Sequence, residues 1–454
     1  MSMLEKDSLS LLAEALKKLE SGFLNLPPFE NEPFNKKDME DILNDVAKKL
    51  HNNYPYFHPL YAGQMIKPPH PIAKAAYMLA MWINPNNHAL DGGRESSAME
   101  KEAIVEIAKM FGWDSCLGHL TSAGTTANLE ALWVAGQIAP QKKIVASSQA
   151  HYTHSRMSKV LGLDFISIPS NKFGRMDINA LENILQKENI GMVVVTVGTT
   201  ATGSVDQLEG ILKLKRKYNF RLHVDAAYGG YFVLANNLMA ETKKTFDLIS
   251  EVDSIVVDPH KHGMQPYGCG SILFKDPSVG RFYKHDSPYT YFSSDELHLG
   301  EISLECSRAG ATAVALWATQ KMFPLVKDGE FSKLLSKGRE AALKFYDKLK
   351  NDERFIVAFE PELDIVVWFV KSKSISQSSL LAKKVFEETE KSNLHLALVE
   401  LPIEFFNLQE DIKADVPTVR ALRSVLMKPE HNNYVNQIFD LLCSATDKVK
   451  SEIQ

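Results

Sequence analysis

The chain has little of what marks several common binding classes. Its four cysteines in 454 residues, Cys116, Cys269, Cys306 and Cys443, are scattered and form no C-x-x-C pair. That argues against a disulfide frame or a zinc site and for a reducing compartment. No basic cluster or tail stands out from a net charge of −5, so nothing points to nucleic acid. No apolar run is long enough to span a bilayer, and the N-terminal MSMLEKDSLSLLAEALKKLE interrupts its apolar stripe with charges, unlike a signal peptide. A cytoplasmic protein with neither a membrane nor a nucleic-acid partner is expected. The ATP and dinucleotide fingerprints G-x-x-x-x-G-K-[ST] and G-x-G-x-x-G are missing, as are H-E-x-x-H, internal repeats and low-complexity tracts.

What is present is an ordinary globular composition, 45% hydrophobic and 24% charged, in a chain long enough for two or three domains. Ser8–Leu24 and Lys37–Leu50 read as helices joined by a Pro/Asn/Phe-rich connector. Asn53–Pro71 (NYPYFHPLYAGQMIKPPHP) is too rich in proline to be a helix interior or a central strand. Ile72–Ile83 reads as a buried helix, and Ser97 as the cap of a helix over Ala98–Phe111. Beyond Cys116, short apolar runs alternate with helical patterns. The strands expected are Gly118–Thr121, Lys143–Ala146, Phe165–Ile168, Met192–Val197, Arg221–Val224, Ser254–Val257 and Ser271–Phe274. Repeated βα units predict an α/β fold with a mostly parallel, doubly wound seven-stranded sheet. The last run follows its predecessor too closely for a crossover helix and should pair antiparallel. A long helix over Leu304–Met322 leads out, and helices and strands after Asp328 predict a smaller α+β unit.

The chemistry gathers between Arg221 and Lys261. RLHVDAAYGGYF opens this stretch and DSIVVDPHKHG closes it; each is a β-branched run that stops at an aspartate. Asp225 and Lys261 therefore fall at strand ends, where ligands of open α/β sheets bind. A lysine amine and a carboxylate in one crevice suit pyridoxal phosphate, the lysine condensing with the aldehyde and the carboxylate pairing with the pyridine nitrogen. A surface lysine and a helix-capping aspartate are the plain alternative. A phosphate needs backbone N–H groups at a helix N-terminus, and Thr121-Ser122-Ala123-Gly124-Thr125-Thr126-Ala127-Asn128 bridges a strand and a helix. His151, His154, His260 and His262 could suggest a metal instead, but without H-E-x-x-H or cysteine partners no metal is expected.

HVDAAYGG followed by DPHKHG resembles the group II pyridoxal phosphate-dependent amino-acid decarboxylases, over most of the chain from about Tyr54. The resemblance implies a fold-type I enzyme with an N-terminal helical dimerisation segment (1–60), a large cofactor-binding α/β domain (61–325) and a small C-terminal α+β domain (326–454). It implies a homodimer with the active site at the subunit interface, releasing CO2 and an amine from an L-amino acid. Lys261, Asp225, His151 and Tyr289 are the implied catalytic residues. Gly124, Thr125 and His260 would contact the phosphate, Thr200 the ring hydroxyl, and Ala227 the ring face opposite His151. The proton donor is sought among Tyr283, Tyr289 and Tyr291, with Tyr289 preferred. Lys67, Arg94 and His262 would favour an acidic side chain, and Tyr61, Met65 and Phe292 an aromatic one. Other readings remain: a carbon–carbon lyase, an aminotransferase using Arg420 or Arg423, or a non-catalytic cofactor-storing protein.

Overall fold

The computed structural model describes residues 6–88, 92–284 and 302–452. Helices α1 (Lys6–Ser21) and α2 (Lys36–Leu50) lead the chain, followed by α3 (Pro71–Met81) and α4 (Arg94–Met110). A βα alternation then begins: β1 (Leu117–Thr121), α5 (Gly124–Ile138), β2 (Lys143–Ser147), α6 (Thr153–Val160), β3 (Phe165–Ile168), α7 (Ile178–Leu185), β4 (Ile190–Thr196) and α8 (Leu208–Tyr218). It continues with β5 (Arg221–Asp225), α9 (Ala240–Asp247), β6 (Ser254–Val257) and β7 (Gly270–Phe274). These strands form one seven-stranded sheet in the order β1-β7-β6-β5-β4-β2-β3. Pairing is parallel from β6 to β3, while β7 runs antiparallel to both β6 and β1.

β4 explains why the sheet is buried on both faces. Its IGMVVVT shows no polar alternation and every residue is buried, as crossover helices on both sides require. Fully burying each of Val193, Val194 and Val195 contributes about 1.5–3 kcal/mol. Local signals set the helix ends. Asp177 accepts the N–H groups of Asn179 and Ala180 to start α7, and Asn219, at φ 51°, closes α8 in the left-handed conformation.

The chain continues through α10 (Gly310–Met322), α11 (Glu330–Lys350), β8 (Phe355–Val357), β9 (Ile365–Val370), α12 (Ile375–Lys391), β10 (Ala397–Pro402), β11 (Thr418–Val425) and α13 (His431–Ser451). The second sheet is antiparallel throughout, in the order β10-β11-β9-β8. Its core has Trp368 edge-on to Phe345 at 5.2 Å. No described helix is long and apolar enough to cross a membrane.

Two helix starts differ most from expectation. Ser97 does not cap α4: the helix starts at Arg94 behind Gly93, because Ser96 Oγ bonds Asn87 and the Gly93 carbonyl and stabilises an earlier first turn. The long exit helix starts at Gly310 rather than Leu304. Arg308 is drawn away to Glu100 and to the Leu120 carbonyl, both at 2.6 Å, which holds the preceding segment out of helix.

Candidate active site

Strand ends bring the site together. β5 ends on Asp225, beside Val256 of β6, and β6 runs directly into the turn bearing Asp258, His260 and Lys261. β2 feeds the loop with His151 and the first turn of α6, and β1 leads to Gly124 at the start of α5. Side chains at these points leave the sheet without costing ladder hydrogen bonds, which is why ligands collect there.

Asp225 is buried but well supplied with donors. His154 Nε2 lies 2.8 Å from its Oδ2, and its Oδ1 accepts the Ala227 N–H at 3.1 Å. Burial alone would raise this carboxyl, but the His154 hydrogen bond and charge, with Lys261 and His223, hold it below the usual carboxylate range. The Lys261 ammonium lies 3.2 Å from Asp258 Oδ2, and with 21% of its side chain exposed it remains reachable from the cleft. The other Asp258 oxygen has no hydrogen-bond partner among the described residues.

His151 is half-buried, with Nδ1 2.6 Å from the Thr153 hydroxyl. That hydroxyl is 3.5 Å from the Thr125 hydroxyl at the start of α5. Burial lowers the His151 imidazole, which keeps its neutral form. Gly124 is packed so closely on Asp258 that a Cβ there would sit 2.7 Å from Oδ2. His260 turns Nδ1 to the Cys269 carbonyl at 2.7 Å and lays its ring beside Tyr267. Ala227 is buried, whereas Thr200 is exposed.

These residues fit pyridoxal phosphate. A reachable amine, an ionised buried carboxylate, a neutral imidazole and the unpaired N–H groups of a helix start match its aldehyde, ring nitrogen, ring face and phosphate. Two buried polar atoms at these strand ends, Asp258 Oδ1 and Thr196 Oγ1, have no partner among the described residues, as a site built for a polar occupant requires. Among the described residues no cluster of His, Cys, Asp and Glu is arranged to hold a metal.

Other expected residues do not converge here. Tyr283 is buried against Trp133, Phe274 and His119 and cannot present its hydroxyl to a substrate. Tyr289, Tyr291 and Phe292 lie outside the described residues. Arg94 is exposed on α4. Lys67 and His262 open onto a separate cavity of about 1010 Å³, shared with Asp364 and Lys428 and not lined by Lys261 or Asp225. His262 packs between Tyr228 and Phe232, and Lys67 donates to the His262 carbonyl at 3.4 Å. Tyr61 is buried with its carbonyl bonded to Lys428, and Met65 accepts the Tyr267 hydroxyl through its backbone.

The two arginines on β11 part company. Arg420 is exposed. Arg423 is buried and, among the described residues, donates only to uncharged acceptors, the Thr200 carbonyl at 2.8 Å, Gln64 Oε1 at 2.6 Å and the Gly63 carbonyl at 3.3 Å, with Nε unpaired there. Sequence reasoning offered Arg423 only to an aminotransferase and gave His154 no place at the cofactor. The only signal for His154 was its spacing of three residues from His151, which one helical turn places together.

Residues 129–371 match the pyridoxal-dependent decarboxylase conserved domain. The L-tyrosine decarboxylase of Enterococcus faecium is 30% identical over 414 residues, 69% of this chain and 68% of that protein. The L-aspartate decarboxylase of Thermococcus kodakarensis is 28% identical over 330 residues, 72% of this chain and 83% of that protein. In fold, the Oryza sativa TDC solved with PLP and tryptamine superposes with a TM-score of 0.77 at 17% identity, covering 99% of both chains.

Proposed function

Since the chain belongs to the pyridoxal-dependent decarboxylase family, we propose how its own residues divide the work of removing CO2 from an L-amino acid. It is a pyridoxal phosphate-dependent amino-acid decarboxylase. The placement of Lys261, paired with Asp258 just past β6, and of the His154-bound Asp225 at the adjacent end of β5 carries the assignment of residues.

Bound pyridoxal phosphate supplies the electron sink that accepts the bonding pair left when CO2 departs. Lys261 provides the amine that anchors the aldehyde carbon. Asp225 stays ionised and keeps a proton on the ring nitrogen. His151 and Ala227 offer a planar and a small surface to the two faces of the ring. The N–H groups at Gly124 and Thr125, with His260, would hold the phosphate, and Thr200 would be the residue to meet the ring hydroxyl. Arg423, a buried cation without a carboxylate partner among the described residues, anchors a substrate carboxylate. Tyr289 returns the proton to Cα.

The substrate class is an acidic or aromatic L-amino acid. Neither Lys67, Arg94 and His262 nor Tyr61 and Met65 converge on Lys261 and Asp225, so both classes stand. Assaying tyrosine, aspartate, glutamate and diaminobutyrate side by side by mass spectrometry decides between them. Lys261→Ala tests the assignment: the variant should lose both amine formation and the visible absorption of the bound cofactor. Retention of either sinks it.

The assembly we infer is a cytoplasmic homodimer, divided into an arm (1–60), a large domain (61–325) and a small domain (326–454). Support for the arm comes from α2, which buries no residue and leaves Met39, Ile42, Leu43, Val46 and Leu50 exposed along one face.

A further inference from the structure

We propose that His154 is a positioning residue that fixes the Asp225 carboxylate toward the ring nitrogen of the cofactor. This rests on the reading of Asp225 given above.

His154 is on the first turn of α6 and Asp225 is the last residue of β5, 71 residues apart in sequence, yet Nε2 and Oδ2 are 2.8 Å apart. Their side chains are 1% and 7% exposed, so water does not compete for the contact. A carboxylate is free to rotate about its last bond. Here the second oxygen accepts the Ala227 N–H, so one donor grips each oxygen and the plane is set. Each oxygen keeps a further lone pair, and those are what a ring N–H can use.

The surroundings leave His154 to this one task. The neighbouring buried His223 is already committed, its Nε2 to Asn128 Oδ1 and its Nδ1 to Ser254 Oγ, both at 2.9 Å. His154 Nδ1 has no partner among the described residues, so Asp225 is the acceptor that defines the ring's orientation. The backbone N–H of His154 donates to the His151 carbonyl at 3.1 Å. One turn of chain thus sets both the imidazole offered to the cofactor face and the imidazole that holds its acid.

Three variants test the role, His154→Phe, His154→Gln and Asp225→Asn. Each apoprotein is titrated with pyridoxal phosphate by tryptophan fluorescence, and the absorption of each loaded protein is recorded. His154→Phe keeps a ring but no donor, and should bind the cofactor about tenfold more weakly, the worth of one hydrogen bond to a charged group, with its absorption moved to shorter wavelength. His154→Gln, whose amide reaches the same oxygen, should recover most of both. Affinity within about twofold of wild type in His154→Phe, or equal damage in the two variants, overturns the inference, the second result marking His154 as packing alone. If Asp225→Asn changes neither affinity nor spectrum, it is the assignment of Asp225 that fails. Without any variant, ¹⁵N spectra of the wild-type apoprotein should find the His154 proton on Nε2, and a bare Nε2 refutes the hydrogen bond.

Discussion

A single methyl group added at Gly124 tests the packing beneath the proposed phosphate site. The Cβ of Gly124→Ala would lie 2.7 Å from Asp258 Oδ2, 2.9 Å from Oδ1 and 3.1 Å from Cγ. All three contacts are well inside the roughly 3.5 Å at which non-bonded heavy atoms rest. Asp258 has nowhere to retreat. It is 2% exposed, its N–H is bonded to the Ala227 carbonyl, and its carboxylate holds Lys261. Overpacking of this kind costs about 1–3 kcal/mol, and a displaced carboxylate also releases the lysine. Urea unfolding of the apoprotein measures the loss as a lower midpoint at constant slope. Shortening the neighbour should relieve it: Gly124→Ala with Asp258→Ser should be more stable than the two single effects add up to, by about 1 kcal/mol or more. If Gly124→Ala unfolds at the wild-type midpoint, or the two losses simply add, the close approach is not real.

Arg423→Met should raise KM for the amino acid about tenfold or more, as loss of a charged anchor does, while the cofactor absorption persists; an unchanged KM removes Arg423 from substrate binding. Tyr289→Phe should still bind cofactor but form amine at least about a hundredfold more slowly, with aldehyde appearing as a by-product; full amine formation without aldehyde removes Tyr289 as the acid. Burial pushes the carboxyls of Asp206 and Asp364 up to about 6 each. The folded protein therefore binds more protons than the unfolded chain between about pH 4 and 6, and the stability from these groups is present below that window and lost as pH rises through it, about 3 kcal/mol per group. Asp364→Asn should flatten that slope in unfolding measurements; an unaltered slope shows that Asp364 does not titrate there.

Strands were the most legible part of the chain. β3 and β6 begin and end where their apolar runs do, and the antiparallel β7 followed from a connection too short for a crossover. Helices defined by a stripe were read within a few residues. The eight-residue α6, THSRMSKV, offers no such stripe and was missed. The placement of Lys261 and Asp225 at strand ends was legible because it depends on the β-branched run just before each, which is a local property. His154 and Arg423 were not, because what matters about them is a partner 71 or 223 residues away. His262 misled for a related reason: standing next to Lys261 in sequence says nothing about direction, and the turn points successive side chains into different compartments.

That turn also explains why a costly buried acid is retained in the second sheet. Asp364 stands immediately before β9, accepts the Tyr228 hydroxyl at 2.5 Å, and lies 3.4 Å from His262 Nε2. Tyr228 follows Ala227, and His262 follows Lys261. The residues flanking the two strand-end motifs thus meet on one carboxylate supplied by the other sheet. An apolar residue at 364 would spare the desolvation that raises this acid, but it would leave the Tyr228 hydroxyl buried without an acceptor, at about 1–3 kcal/mol. It would also remove the polar tie between the back of the cleft and the small sheet, whose β11 brings Arg423 to the Thr200 carbonyl at the front. The two sheets are therefore registered to each other by contacts on both sides of the site, so a shift of either one moves Lys261, Asp225 and Arg423 relative to one another.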